Sequence, residues 1–111
     1  MFDLVHYLTE GSHPVVVGGP APSLSDFKER VTTMHYVFIK FTDTQGGTDL
    51  GVTLDPRASD LSRGDFEAAT GIVHLEGTLT LDFVPVRCIA DIDVASMAGS
   101  GHLVATEPYG H

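Results

Sequence analysis

Ionisable side chains alternate along one stretch in the second half of the chain. His74 and Glu76 stand two residues apart, and Thr78, Thr80 and Asp82 continue the alternation. In a β-strand such residues share one face and lie about 7 Å apart. Histidine titrates near neutral pH, and a neighbouring carboxylate can orient it or act as an acid. The row therefore predicts a face able to bind a small molecule and move a proton, against the alternative of an ordinary solvent-facing strand.

A second alternating set follows in the next segment. Arg87, Asp91 and Asp93 would share one strand face, where an arginine could polarise a substrate while an aspartate abstracts its proton. The alternative is a structural ion pair that shields the aspartates from one another. With His35, at the start of an expected strand, the candidate catalytic residues are His35, His74, Glu76, Asp82, Arg87 and Asp91.

No sequence signature of a cofactor or metal is present. The single cysteine excludes a thiolate zinc site, and no G-x-G-x-x-G or P-loop motif occurs. No two histidines are spaced to ligate one ion from adjacent turns or alternate strand positions. We therefore predict neither a cofactor nor a metal, the alternative being a site built from His35, His74, His102 and either Glu76 or Asp82.

The elements that must position these residues are mainly strands. Residues 35–42 and 50–54 are rich in β-branched and apolar residues and flank Gly46-Gly47, which predicts a hairpin. Further strands are expected at 15–17, 72–84, 86–94 and 102–105, with Pro85 separating two of them. Helices are expected near the first eight residues and from Ser23 or Ser25 to Val31, and residues 62–69 are either a helical turn or a loop.

These elements predict one α+β domain over residues 1–111. It has an antiparallel sheet of four or five strands and one or two short helices. If the sheet curves around a pocket, the row from His74 to Asp82 would line it.

The charge balance limits the partners. Fifteen acidic and six basic residues give a net charge of −9, so nucleic acid and anionic membrane surfaces are excluded as partners. No export signal and no apolar run of about 20 residues is present, so we expect a cytoplasmic location.

Two functions from different classes fit this description. One is a small-molecule-binding domain, with or without cofactor-independent acid/base catalysis of the isomerase, cyclase or hydratase type. The other is a non-catalytic accessory protein whose acidic surface binds a basic protein partner. Under either hypothesis the apolar run Val15–Val17 and the outward-facing Tyr36 and Phe38 predict a homodimer.

Overall fold

The computed structural model of the protein describes residues 3–106 and consists mostly of β-structure. Two short helices, α1 (Leu4–Thr9) and α2 (Leu24–Glu29), accompany the sheet, and α2 continues into one π-helical turn, Arg30–Met34. The strands are β1 (His13–Val17), β2 (Tyr36–Phe41), β3 (Thr48–Leu54), β4 (Gly64–Asp65), β5 (Thr70–Leu81), β6 (Val84–Asp93) and β7 (Ala98–Ala105).

The sheet closes into a barrel. Its strand order is β3-β2-β1-β7-β6-β5-β4, and every pairing is antiparallel. A further antiparallel pairing of β3 with β5, through Thr53 with Thr78 and Leu54 with Gly77, joins the two ends. Six strands therefore form a closed barrel, and β4 adds two residues outside it. The expectation of four or five strands was too low, whereas the antiparallel arrangement with few helices is confirmed.

The alternation of side chains decides what fills the barrel. Apolar residues from all six barrel strands point inward and are buried, and Val5, Leu8 and Phe27 of the two helices belong to the same core. Because this core occupies the interior, the polar row of β5 lies on the outer face. The expectation that the row would line a pocket inside a curved sheet is therefore wrong.

The helices begin where the sequence provides caps. The Asp3 carboxylate accepts a hydrogen bond from the His6 backbone N–H at 3.1 Å. The Ser23 hydroxyl accepts one from the Asp26 N–H, also at 3.1 Å, as the predicted cap requires. Residues 1–2 and 107–111, which include the expected helix residue Phe2, lie outside the described residues.

The expected boundary between the two long strands needs correction. Pro85 does not separate strands: it lies within β6 opposite Thr80, one residue after the strand begins, where a missing N–H is tolerated. The reversal occurs instead at Asp82 and Phe83, which both adopt positive φ. Of the two alternatives for residues 62–69, the structure has the non-helical one, with turns on either side of the short β4. Within residues 3–106, no helix has the length and apolar character needed to cross a membrane.

Candidate functional site

Strands β5 and β6 bring four of the six candidate residues onto one outer face of the barrel. Their register places His74 opposite Asp91 and Arg87 opposite Thr78. Glu76 lies between these two pairs on β5. The alternation of apolar and polar residues along the two strands fixes this register, because a one-residue slip would turn the apolar residues outward.

These four side chains and Asp55 form one row of alternating charge, which we call the charged chain. Arg87 donates from Nη2 to Asp55 Oδ2 at 3.1 Å and from Nε to Glu76 Oε1 at 3.0 Å. His74 lies 2.6 Å from Glu76 Oε2 through Nε2 and 2.8 Å from Asp91 Oδ1 through Nδ1. The order is therefore Asp55, Arg87, Glu76, His74 and Asp91.

The position of His74 between two carboxylates determines its protonation state. Both ring nitrogens face acceptors, so both must donate, which only the imidazolium can do. The hydrogen bond to Glu76 is the main cause of a raised pKa of His74, and the bond to Asp91 adds to it against the opposing effect of burial. This arrangement therefore favours the imidazolium form of His74 over the neutral imidazole.

The rest of the charged chain fixes His74 in place. Hydrogen bonding to His74, with a further contribution from Arg87, lowers the pKa of Glu76, and Arg87 lowers the pKa of Asp55. The Ser59 hydroxyl also binds the Glu76 backbone, donating to its carbonyl at 3.1 Å and accepting from its N–H at 3.0 Å. The part of the charged chain formed by Asp55, Arg87 and Glu76 is thus held by side-chain and backbone contacts.

The outer end of the charged chain opens onto a shallow depression. It has a volume of about 370 Å³ and is lined by Asp60, Arg63, Ile72, His74 and Asp91. The Asp91 side chain is 54% exposed, compared with 23% for Glu76. Hydrogen bonds from the Ser62 side chain and backbone lower the pKa of Asp60, so this carboxylate is ionised at neutral pH. The depression therefore presents two carboxylates, one guanidinium and an exposed apolar side chain.

Two candidate residues lie apart from the charged chain. Asp82 is in the turn between β5 and β6, not on the polar face of a strand, and it is exposed. His35 is not in a strand either: it ends the π-helical turn in the left-handed region, with φ of 53°. It lines a second pocket of about 170 Å³ together with Val31, Thr32, Leu54, Pro56, Ser59 and Leu61.

Sequence reasoning missed a second histidine cluster. His13, only 6% exposed, lies 2.8 Å from Asp43 Oδ2 through Nδ1 and 2.7 Å from the Glu10 carbonyl through Nε2. The Tyr7 hydroxyl donates to the same Asp43 oxygen at 3.0 Å, and its ring lies 4.8 Å from the imidazole. Asp43 is 30 residues from His13, so no local spacing could have indicated the pair.

This cluster also holds a charged imidazole, but it leaves no nitrogen free for chemistry. Desolvation opposes ionisation of His13, yet the hydrogen bond to Asp43, together with the Glu10 carbonyl, raises its pKa overall. Desolvation likewise opposes a low pKa of Asp43, but the hydrogen bonds from His13 and Tyr7 lower it. Because both His13 nitrogens already donate within the protein, the cluster stabilises the fold at the junction of α1 and β1.

Among the described residues, no three histidine, cysteine, aspartate or glutamate side chains are arranged to hold a metal ion. The chain matches no protein-family model and no curated protein.

Proposed function

We propose that this protein binds a small polar molecule in the depression at the outer end of the charged chain. The observation that carries the proposal is the geometry of His74, an imidazolium held at one nitrogen by a fixed carboxylate and at the other by an exposed one. A ligand with an amine or hydroxyl group can reach Asp91 from solvent. Arg63, which also lines the depression, suits an acceptor group of the same ligand.

The same geometry supports acid/base chemistry on the bound molecule. The exposed Asp91 carboxylate can accept a proton from one atom of a ligand and return it to another, and His74, at 2.8 Å, holds the carboxylate in position during both transfers. Glu76 and Arg87 are positioning residues because they act through His74. Reactions that need only proton transfer, such as isomerisation, cyclisation or hydration, fit this set of groups.

The first experiment is native mass spectrometry of the purified protein, compared with its denatured mass, followed by NMR titration with small primary amines, alcohols and hydroxy acids. We expect a retained molecule or fragment-induced shifts at His74 and Asp91. Substitutions His74→Gln and Asp91→Asn should abolish the shifts, whereas His102→Gln should not. His102 is a matched control because it lies on the outer face of neighbouring β7, and within residues 3–106 its side chain makes no hydrogen bond or ion pair.

Two results would overturn the proposal. One is a protein that carries no ligand and shows no shift at the depression with any fragment class. The other is binding that survives both His74→Gln and Asp91→Asn.

A second candidate function follows from the distribution of charge. Three of the six basic side chains are paired with the protein's own carboxylates: Lys28 with Glu67, Arg30 with Asp26, and Arg87 with Glu76 and Asp55. The remaining surface is strongly acidic, which suits an accessory protein that binds a basic partner. Such association should weaken steeply as salt is raised, whereas binding of a neutral or zwitterionic ligand at the depression should change little.

A further inference from the structure

The turn between β5 and β6 places an apolar side chain in solvent. Phe83 is 99% exposed, and both Asp82 (φ 50°) and Phe83 (φ 66°) adopt the left-handed conformation that a two-residue reversal requires. Glycine or asparagine normally occupies such positions, because a bulky L-residue is strained there. Phe83 therefore gains nothing from packing in its own chain and adds strain to its backbone.

The turn also projects from the closed part of the barrel. Strand β3 pairs with β5 only at Gly77 and Thr78, so residues 79–81 have β6 on one side and no partner strand among the described residues on the other. The end of this hairpin, with Asp82 and Phe83 at its tip, is therefore accessible from several directions.

The same chain contains a pocket of the size that a phenyl ring needs. The pocket beside the π-helical turn has a volume of about 170 Å³, and an apolar cavity of roughly 150 Å³ accommodates a benzene ring. Its hydroxyls are already engaged: Thr32 donates to the Lys28 carbonyl at 2.6 Å, and Ser59 binds the Glu76 backbone. What remains for a ligand is the His35 side chain and mainly apolar surface from Val31, Leu54, Pro56 and Leu61.

Charges next to the tip and next to the pocket are complementary. Asp82 precedes Phe83 and is exposed, and Arg57 follows the pocket residue Pro56 and is also exposed. Within residues 3–106 neither side chain takes part in an ion pair or a side-chain hydrogen bond. An arginine without a partner is notable in a chain with net charge −9.

We propose that this protein self-associates by inserting Phe83 of one copy into the pocket of a second copy, with Asp82 next to Arg57 of that copy. If both copies do this reciprocally, the assembly closes as a two-fold dimer. The reasons given by the sequence for a homodimer do not carry this proposal. Val15 and Val17 are buried in the barrel wall, and Phe38 is half-buried beneath Arg30, whose guanidinium carbon lies 5.0 Å from the ring centroid. Tyr36 is exposed as expected, but it does not line the pocket.

Sedimentation velocity over a range of concentrations, at about 0.15 M ionic strength, tests the contact. We expect the native protein to dimerise. Phe83→Ala removes two buried phenylalanine side chains from the two-fold dimer, each contributing roughly 10- to 100-fold, so it should raise the dissociation constant by roughly 100-fold or more. Val104→Ala is the matched control, because Val104 is another exposed apolar residue, on β7, outside the tip and the pocket.

Charge reversal then identifies the occupant. Arg57→Glu and Asp82→Arg should each weaken self-association, because each brings like charges together in its own homodimer. A mixture of the two variants should dimerise again, because both contacts of the mixed dimer then join opposite charges. Both positions are exposed, and circular dichroism of each variant checks its fold, because Asp82 has a positive φ that arginine tolerates less well than aspartate.

A native protein that stays monomeric at all concentrations would overturn the proposal, as would dimerisation unaffected by Phe83→Ala. Failure of the mixture to dimerise would overturn it as well. The salt dependence separates this self-association from binding of a basic partner. Added salt screens the repulsion between two copies of net charge −9 and so favours self-association, whereas it weakens binding of a basic partner. These outcomes are independent of His74 and Asp91, so they leave the proposed ligand site to its own test.

Discussion

Replacing His13 by glutamine removes a buried cation from the junction of α1 and β1. The imidazolium makes two charge-assisted hydrogen bonds, at 2.8 Å to Asp43 and at 2.7 Å to the Glu10 carbonyl. Each bond of this kind contributes about 1.5–3 kcal/mol, and glutamine can restore part of one of them. Because the Asp43 side chain is 27% exposed, water can solvate it in the variant. We therefore expect His13→Gln to lower the free energy of unfolding by about 2–3 kcal/mol.

The pH dependence of this loss follows from the direction of each pKa shift. The pKa of His13 is raised above 6.5, so its contribution is fully present below pH 6.5 and is lost as pH rises through the folded-state value. The pKa of Asp43 is lowered below 3.8, so its contribution is fully present above pH 3.8 and is lost as pH falls through the folded-state value. The difference between native and variant protein should therefore be largest between these limits.

Urea unfolding, followed by circular dichroism because the chain has no tryptophan, measures this difference. His74 also has a raised pKa, but it shares no hydrogen-bond partner with His13, so its contribution should cancel in the comparison. The titration of Tyr7 does not affect this comparison at lower pH, because its hydrogen bond to Asp43 raises the pKa of Tyr7 above 10.0. His102→Gln serves as control and should change stability by no more than about 0.5 kcal/mol.

Two outcomes would refute the reasoning about His13. One is a His13→Gln protein as stable as the native protein near pH 6. The other is a destabilisation that stays constant from pH 6 into the alkaline range, which would mean that the imidazole contributes by packing and not by charge.

Three further predictions concern the barrel seam, the hairpin tip and the single thiol. Gly77→Ala should destabilise the fold by about 3 kcal/mol or more in thermal unfolding. The reason is that a Cβ at this position would collide with the Thr53 carbonyl oxygen, where β3 pairs with β5. A melting temperature equal to that of the native protein would contradict the closure of the barrel. Phe83→Gly should stabilise the monomer by about 1 kcal/mol in urea unfolding, since glycine removes the left-handed strain, and a destabilised monomer would show that the ring packs within its own chain. Cys88 should react with a thiol reagent such as DTNB only on unfolding, because it is buried and burial raises its pKa to about 12; rapid reaction of the folded protein would disprove its place in the core.

Much of the local structure could be predicted from the sequence. The alternation in residues 35–42 and 72–84 predicted two strands, which the structure has at Tyr36–Phe41 and Thr70–Leu81, although Asp82 and Phe83 form the turn. Ser23 is one of the two serines expected to cap the second helix. These features depend on neighbouring residues only, through the two-residue period of a strand and the unpaired N–H groups of a first helical turn. The placement of His74, Glu76, Arg87 and Asp91 on polar strand faces followed from the same period.

What only the tertiary structure decided was how these faces are arranged in space. Closure depends on two residue pairs between β3 and β5, which are separated by more than 20 positions in the sequence. That closure turns the apolar face inward and fills it, so the polar row faces solvent and any ligand bound to this row would bind on the outside of the barrel. The pairing of His13 with Asp43 is equally non-local, and a histidine followed by proline at a strand start gives no hint of it. Periodicity fixes which residues share a face of a strand, but long-range packing determines which face is inside and which charges meet across it.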